Sequence, residues 1–398
     1  MRYDATSYPS PTEKESLDNE SITQWLFEVA FFRDFVYRNP DKKPGKEFSD
    51  ALIIYDDTVI IVQNKTKLSE RNDLYWAKNN ISGALSQLKG SYRNISNKLV
   101  TQFRNELLRI AVTIDEKKHR SIYGMVILAQ DSEPYDPLSL VEKNEMPSIP
   151  FIVCSLNDLK IIADRMDTAI DFVTYFESRI ETQKSGVTLL VNDELENMKK
   201  IGNSLHGIYS RNLKSTKKEI IDRTVQLKKI QMEHGLRRRE DYKFSLLIDD
   251  IIGCAHDIDT EFTESTRKND SRIPQIYGNL DRYRRIELGK RLYTAAIAAQ
   301  KSIVEIIVHI QKPIERVFVY VYTSIDRKAR KKYLEALVAI SQIKYSLVKV
   351  TAVATEPVGM GGRSYDFFST DEMLVERNID IPKDVLETLP DIGDQRLI

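Results

Sequence analysis

The stretch 45–67, GKEFSDALIIYDDTVIIVQNKTK, constrains the fold more than any other part of the chain. It is rich in β-branched and aromatic residues, which favour extended structure. Two such runs, 48–55 and 58–65, flank the turn-forming pair Asp56 and Asp57. The sequence therefore predicts an antiparallel hairpin, and the rest of the N-terminal half has to pack around it.

Three polar side chains meet on one side of this predicted hairpin. Facing residues have numbers that sum to 113 when the strands are symmetric about the turn, so Asp50 faces Gln63. Lys65 shares their side because side chains alternate along a strand. The neighbouring positions are apolar on both faces, where a charge is costly unless it is paired or binds something. Two interpretations stay open: an Asp50–Lys65 ion pair at the rim of an ordinary sheet, or a site that holds a divalent cation.

The spacing of these residues resembles the signature of the PD-(D/E)XK nuclease superfamily. Twelve residues separate Asp50 from a Gln-x-Lys tripeptide that begins at Gln63, as in the Mrr-type restriction endonucleases that carry Gln in place of the acidic residue. Ser49 stands where the family has a proline. The resemblance covers about 21–180 and implies that Asp50 and Gln63 bind Mg²⁺ or Mn²⁺. It also implies that Lys65 positions the attacking water and offsets charge at the phosphate.

The same resemblance implies two further site residues. Apolar residues at helical spacing predict a helix over 21–39, and Glu28 lies beside its apolar stripe. Glu28 is then an additional metal ligand or water-activating group, and the alternative is an edge glutamate paired with Arg33 or exposed to solvent. A second predicted helix, 74–97, carries Gln87 in a row that includes small and amide-bearing residues; its other members are Trp76, Asn80 and Gly83. That row either contacts nucleic acid or packs the helix closely on its sheet.

The remaining N-terminal elements complete a sheet. Apolar runs at 107–114, 122–129 and 149–156 predict three more strands, which gives a mixed sheet of about five strands. A helix over 158–180 closes the unit. Helix, strand hairpin, helix, strands and closing helix is the order that the nuclease core requires. We therefore expect an α/β fold whose N-terminal domain, 21–182, is a restriction-endonuclease-like mixed sheet flanked by helices.

The other segments differ in character from this domain. Residues 1–20 are polar and predict a flexible tail. We interpret 183–240 as a basic helical connector, since between 196 and 240 it has twelve basic and five acidic residues. Such a segment either binds phosphates or is a solvated connector. Residues 241–398 predict a C-terminal helical and α/β domain for recognition or assembly.

Within the C-terminal domain, the pattern predicts a helix over 288–310, a strand over 316–323, a basic helix over 325–345 and a strand over 347–355. Strand, helix, strand indicates a crossover with parallel pairing.

Basic residues outside the hairpin are candidates for nucleic-acid contact. Guanidinium groups match phosphate geometry, and Lys67, Arg237, Arg238 and Arg363 join Gln87 as predicted nucleic-acid-binding residues. The cluster 281–285, DRYRR, is a further candidate, with intramolecular ion pairs as the alternative.

Composition limits where the protein acts. The 59 basic and 59 acidic residues cancel, so binding of nucleic acid must use local patches. Two cysteines make neither a disulfide framework nor a zinc set, and no apolar run approaches the roughly 18 residues of a membrane span. Without a signal-peptide pattern, we expect a soluble cytoplasmic protein.

The expected function is a metal-dependent nuclease that hydrolyses phosphodiester bonds, with DNA as substrate, in a prokaryotic restriction or phage-defence system. A homo-oligomer or a partner subunit of that system is an expected assembly. The alternative is a catalytically inactive nuclease-fold module that binds nucleic acid or protein.

Overall fold

The computed structural model describes residues 19–38, 40–43, 46–66, 73–98, 102–104, 111–114, 119–130, 132–211, 242–254, 272–298, 304–311, 315–324, 326–356 and 365–374. Over these residues the chain is mixed α/β, which confirms the predicted α/β class. It divides into two compact units, Met1–Gly235 and Leu236–Ile398. The predicted tail falls outside the described residues except for its last two, which already belong to the first helix.

A mixed sheet forms the middle of the first unit. Its strands are β1 (Val36–Arg38), β4 (Ala51–Tyr55), β5 (Thr58–Thr66), β8 (Ser121–Ala129) and β9 (Phe151–Ser155). They follow the order β1-β4-β5-β8-β9, antiparallel as far as β5 and parallel from β5 onward. Two small two-stranded sheets accompany it: β2 (Asp41–Lys43) with β3 (Lys46–Glu47), and β6 (Gln102–Arg104) with β7 (Ala111–Thr113).

The hairpin has the predicted register. Ala51 lies opposite Val62 and Tyr55 opposite Thr58, so facing residues sum to 113. Asp56 turns the chain with a φ of 53°, a left-handed conformation that Asp tolerates better than most residues. The predicted strands 122–129 and 149–156 are likewise confirmed, within two residues at each end, as β8 and β9.

Helices cover both faces of this sheet, which explains why the hairpin is apolar at odd and even positions. The helices are α1 (Asn19–Phe35), α2 (Asp73–Ser96), α3 (Leu156–Arg165), α4 (Ala169–Lys184) and α5 (Glu194–Arg211). Ile60 and Val62 pack in one core with residues of α1, α3 and α4, whereas Val59 and Ile61 pack in the other core with residues of α2. The predicted helix 74–97 is thereby confirmed as α2.

Three predictions for this unit are wrong in detail. The first helix ends at Phe35, and Val36–Arg38 becomes the edge strand β1 because it pairs with β4. The described part of the run 107–114 does not enter the main sheet, because Ala111–Thr113 pairs with Gln102–Arg104 instead. The fifth strand is therefore β1.

The helix predicted over 158–180 is two helices, α3 and α4. Met166 leaves helical geometry, and Thr168 restarts the helix by accepting a hydrogen bond from the Asp171 backbone N–H. Ser155 caps α3 in the same way, because its side chain accepts a hydrogen bond from the Asp158 backbone N–H.

The second unit contains a four-stranded sheet and four described helices. The strands are β10 (Val304–Gln311), β11 (Arg316–Thr323), β12 (Lys349–Thr355) and β13 (Tyr365–Thr370), in that spatial order. The helices are α6 (Tyr242–Cys254), α7 (Arg272–Gly278), α8 (Arg282–Ala298) and α9 (Arg327–Tyr345). The strands β11 and β12 are parallel and joined through α9, so the predicted crossover is confirmed.

The helix predicted over 288–310 is wrong in its second half. The helix ends at Ala298, and Val304–Gln311 pairs antiparallel with β11. Ile306, Val308 and Ile310 recur at every second residue and lie in the core of this sheet or against it, which is the strand period rather than the helical one.

Candidate functional site

The polar residues of the hairpin lie where β4 begins. Asp50 precedes β4, and its backbone N–H donates to the Val62 carbonyl at 3.1 Å, so the antiparallel pairing reaches one residue beyond the strand. The register then puts Asp50 opposite Gln63, and alternation puts Lys65 on the same side. This is the face that α2 covers, because Leu52, two residues after Asp50, belongs to the core under α2.

The Asp50 carboxylate, rather than a backbone carbonyl, is the hydrogen-bond acceptor for β5 at this point. Its Oδ2 accepts a hydrogen bond from the backbone N–H of Asn64. On α1, Gln24 donates from Nε2 to the Asp50 carbonyl oxygen at 3.3 Å. Burial raises the pKa of Asp50 above its ordinary value, and the Asn64 hydrogen bond and the Lys65 charge offset part of this rise. The other carboxylate oxygen, Oδ1, accepts no hydrogen bond from the described residues.

The Gln63 amide and the Lys65 ammonium have no hydrogen-bond or ion-pair partner within the described part of the chain. Gln63 is only 3% exposed, and its amide makes no hydrogen bond with any described residue. Lys65 is partly buried and forms no ion pair with a described residue, although its charge lowers the pKa of Asp50. The direct Asp50–Lys65 ion pair, which was one of the two interpretations, does not form between these described side chains.

Glu28 lies apart from these residues. It is buried on α1, on the opposite side of the sheet from α2, and its Oε1 accepts hydrogen bonds from Arg38 of β1, at 2.8 Å from Nε and also from Nη2. Its carboxylate therefore neutralises a guanidinium instead of reaching the Asp50 side. Glu28 is thus a buried, paired glutamate, and the partner that the structure shows is Arg38, which the sequence did not suggest.

Sequence reasoning missed Asn64, which fixes α1 to the hairpin. Asn64 is 6% exposed, and its Nδ2 donates to the Asn19 carbonyl and to Thr23 Oγ1, both at 3.0 Å. Its backbone N–H holds Asp50, so this one residue connects both elements. The available signal was its position: an amide on the opposite face from Gln63 in an otherwise apolar strand.

The other predicted contact residues are not gathered at the hairpin. Gln87 and its neighbour in the row, Gly83, are exposed on α2, and Gly83 has open space beside it. The row therefore does not pack the helix on its sheet at these two positions. The predicted nucleic-acid-binding residues Lys67, Arg237, Arg238 and Arg363 lie outside the described residues.

The arginines of the cluster 281–285 are used within the second unit. Arg282 and Arg285 are buried and donate to different oxygens of Asp249 on α6, each at 2.9 Å. Arg284 pairs with Asp281 at 3.6 Å. These three arginines thus form intramolecular ion pairs, which was the alternative to phosphate contact.

The donor set at the hairpin fits Mg²⁺ better than a transition metal. Asp50 offers a carboxylate oxygen and Gln63 an amide oxygen, whereas the described residues contain no group of three His, Cys, Asp or Glu side chains arranged to hold a metal. Mg²⁺ is commonly held by one or two carboxylates, with waters and substrate phosphates completing its octahedron. Two protein oxygens with open coordination positions are therefore compatible with Mg²⁺ or Mn²⁺ that shares its ligands with a nucleic acid.

Comparison of the chain with models of protein families, with curated proteins and with solved structures gives no match. The nuclease resemblance consequently depends on the residues and topology of this chain alone. Among the described helices, none has the length and apolar content that crossing a membrane requires.

Proposed function

We propose that the first unit is a metal-dependent nuclease. The observation that carries the proposal is the hairpin register, which sets Asp50 beside Gln63 and Lys65 while none of the three is consumed by an ion pair with a described side chain. The order α1, hairpin, α2, β8, β9 and α3 agrees with the order that the nuclease core requires. DNA is the expected substrate, and a restriction or phage-defence role follows from the resemblance.

Each side chain has a distinct part in this proposal. Asp50 and Gln63 would hold Mg²⁺ or Mn²⁺, and such a cation would supply the Lewis acid that polarises the scissile phosphate. Lys65 is one residue beyond Asn64 and presents an ammonium that orients the attacking water and stabilises the charge developing on the phosphate. Asn64 and Gln24 act as positioning residues, since their N–H groups hold Asp50 in place.

The test is cleavage by the purified full chain. Supercoiled plasmid and a labelled RNA transcript are incubated with Mg²⁺, with Mn²⁺ and with a chelator. We expect metal-dependent cleavage that falls by about 10²-fold or more in Asp50→Ala and in Lys65→Ala, because each change removes a charge from the reacting centre.

Matched controls remove the same charges elsewhere. Asp57→Ala lies at the exposed hairpin turn, and Lys143→Ala lies at an exposed position of the same unit. Both are expected to cleave like the wild type. Cleavage by Asp50→Ala and Lys65→Ala at the wild-type rate would refute the proposal.

A second candidate is a nuclease-fold module that binds nucleic acid or protein without cleaving it. The observation in its favour is that Glu28 is tied to Arg38, which leaves the neutral Gln63 as the only partner of Asp50 among the predicted metal ligands. Gln63→Glu separates the candidates. In a nuclease, the added carboxylate is expected to lower the Mg²⁺ concentration needed for cleavage, because ligand charge raises cation affinity. A binding module shows salt-sensitive retention of nucleic acid that Asp50→Ala leaves unchanged, and no cleavage with any metal.

A further inference from the structure

A cavity of about 300 Å³ lies within the second unit. It is lined by Tyr320 and Tyr322 near the end of β11, by Thr355 and Glu356 at the end of β12, and by Tyr365 at the start of β13. Because β11 and β12 are parallel, the cavity sits at the carboxyl ends of two adjacent strands. That edge is where open α/β sheets commonly bind ligands.

The walls of the cavity are aromatic and apolar. From the helices, Leu247, Ile251 and Ala296 line it opposite the strands. The strand tyrosines are held in place by their hydroxyls: Tyr322 donates to the Leu292 carbonyl at 3.1 Å, and Tyr320 shares a 2.6 Å hydrogen bond with a neighbouring tyrosine hydroxyl. Fixed rings with satisfied hydroxyls offer flat apolar surfaces, which suit a planar ring.

Two polar groups that can accept hydrogen bonds, Thr355 and Glu356, follow each other at the end of β12. Thr355 is 7% exposed, and its buried Oγ1 has no hydrogen-bond partner among the described residues. Beside it, Arg330 fixes the Glu356 carboxylate at 2.7 Å, and a carboxylate retains further acceptor sites when one oxygen is bonded. No Lys or Arg is among the described residues that line the cavity. A phosphate is therefore disfavoured, whereas a neutral ring with N–H donors is favoured.

We propose that this cavity binds a nucleobase-sized planar heterocycle that carries an exocyclic amino group. The rings of the tyrosines stack on it, and its amino group donates to Glu356 and Thr355. The size of the cavity is at the lower end of ligand sites, which matches a base or nucleoside better than a larger cofactor. The base can belong to a free nucleoside or to an unstacked nucleotide of a single-stranded nucleic acid, and both present the same hydrogen-bonding groups.

The experiment is titration calorimetry on the full chain with adenosine, guanosine, cytidine and uridine, and with single-stranded oligonucleotides of the same bases. We expect an amino-bearing base to bind, as nucleoside or within an oligonucleotide, and to bind more tightly than uridine. Binding of neither form overturns the proposal. Binding that is detected only with oligonucleotides identifies single-stranded nucleic acid as the source of the base. Binding that is detected with nucleosides identifies a small-molecule site.

Two variants connect the binding to the cavity. Ala296→Phe fills it and is expected to weaken binding by at least about tenfold, while Thr294→Phe adds the same ring at an exposed position of α8 and leaves binding unchanged. Thr355→Val removes the unpartnered hydroxyl. Its fold is expected to be at least as stable as the wild type, yet its affinity for the base should fall about fivefold.

Equal binding by Ala296→Phe and the wild type would overturn the assignment. Asp50→Ala is expected to bind the base normally, since Asp50 lies in the other unit. The cleavage assay therefore tests the nuclease proposal, and the calorimetric titration tests this one independently.

Discussion

At the scale of single residues, Asp50 combines burial with a charge that the proposed chemistry needs. The folded chain disfavours its ionised form, because burial raises its pKa by more than the Asn64 N–H and Lys65 lower it. A buried carboxylate kept at the expense of stability is typical of functional sites. The raised pKa of Asp50 leads to a prediction about stability that can be tested without an assay of cleavage.

Asp50→Asn is expected to be more stable than the wild type at neutral pH. The change removes the disfavoured charge and keeps an oxygen that accepts from Asn64 N–H. Since the pKa of Asp50 is raised in the folded chain, the difference should shrink as the pH falls through that pKa. It should vanish below the ordinary value of 3.8, where Asp50 is protonated in both states.

Urea unfolding between pH 3 and pH 8, with linear extrapolation of the free energy of unfolding to zero denaturant, checks this prediction. Asp57→Asn, which removes a charge at the exposed turn, is the control and should give no comparable gain. A stability loss in Asp50→Asn that is largest at neutral pH would contradict it.

The sequence predicted part of this site and not the rest, for physical reasons. Asp50, Gln63 and Lys65 could be placed together because a hairpin about a two-residue turn has a definite register. The partner of Glu28 could not be predicted, because Arg38 reaches it from a strand that exists only through pairing with β4. The bonds of Asn64 to α1 are tertiary contacts, which no local pattern contains.

At the scale of elements, long and strongly patterned segments were predictable, whereas short edge strands were not. The helix α2 and the strand β11 contain enough turns or alternations to establish their period. The edge strand β1 has three residues, too few to show a period, and it continues directly from the apolar pattern of α1. Such elements are specified by the partner strand beside them.

Close contact between α6 and α8 leads to a paired prediction on two glycines. An added Cβ at Gly289 of α8 would lie 1.9 Å from the Phe244 carbonyl oxygen, whereas one at Gly83 of α2 would meet nothing within 4 Å. Gly289→Ala must therefore push the two helices apart and is expected to destabilise the protein. Gly83→Ala only gains helix propensity, and is expected to stabilise by up to about 1 kcal/mol.

Thermal unfolding of both variants against the wild type measures the two effects with the same chemical change. Opposite signs are expected. A gain in stability from Gly289→Ala would show that α6 and α8 do not approach each other at this position.

At the scale of the whole molecule, a buried polar network shows that the first unit continues past α4. Glu194, at the start of α5, accepts hydrogen bonds from Tyr175 and Arg179 of α4, and Asp158 of α3 accepts from the backbone N–H groups of Asn192 and Glu194 at 2.8 and 3.2 Å. All three helices are thus joined away from solvent. The sequence did not reveal this, because a basic composition after residue 183 gives no sign that Glu194 is buried.

Substitutions in the buried Arg179–Glu194 pair test whether this ion pair holds α5 against α4. Both side chains are fully buried, so Arg179→Met leaves an uncompensated carboxylate and is expected to cost about 3–5 kcal/mol. Adding Glu194→Gln removes that charge and keeps an acceptor for Tyr175, so the double variant should recover at least half of the loss. The control, Lys184→Met, breaks an exposed pair and should change stability by less than about 1 kcal/mol. Equal losses in the single and double variants, measured by urea unfolding, would mean that charge burial does not hold α5 against α4.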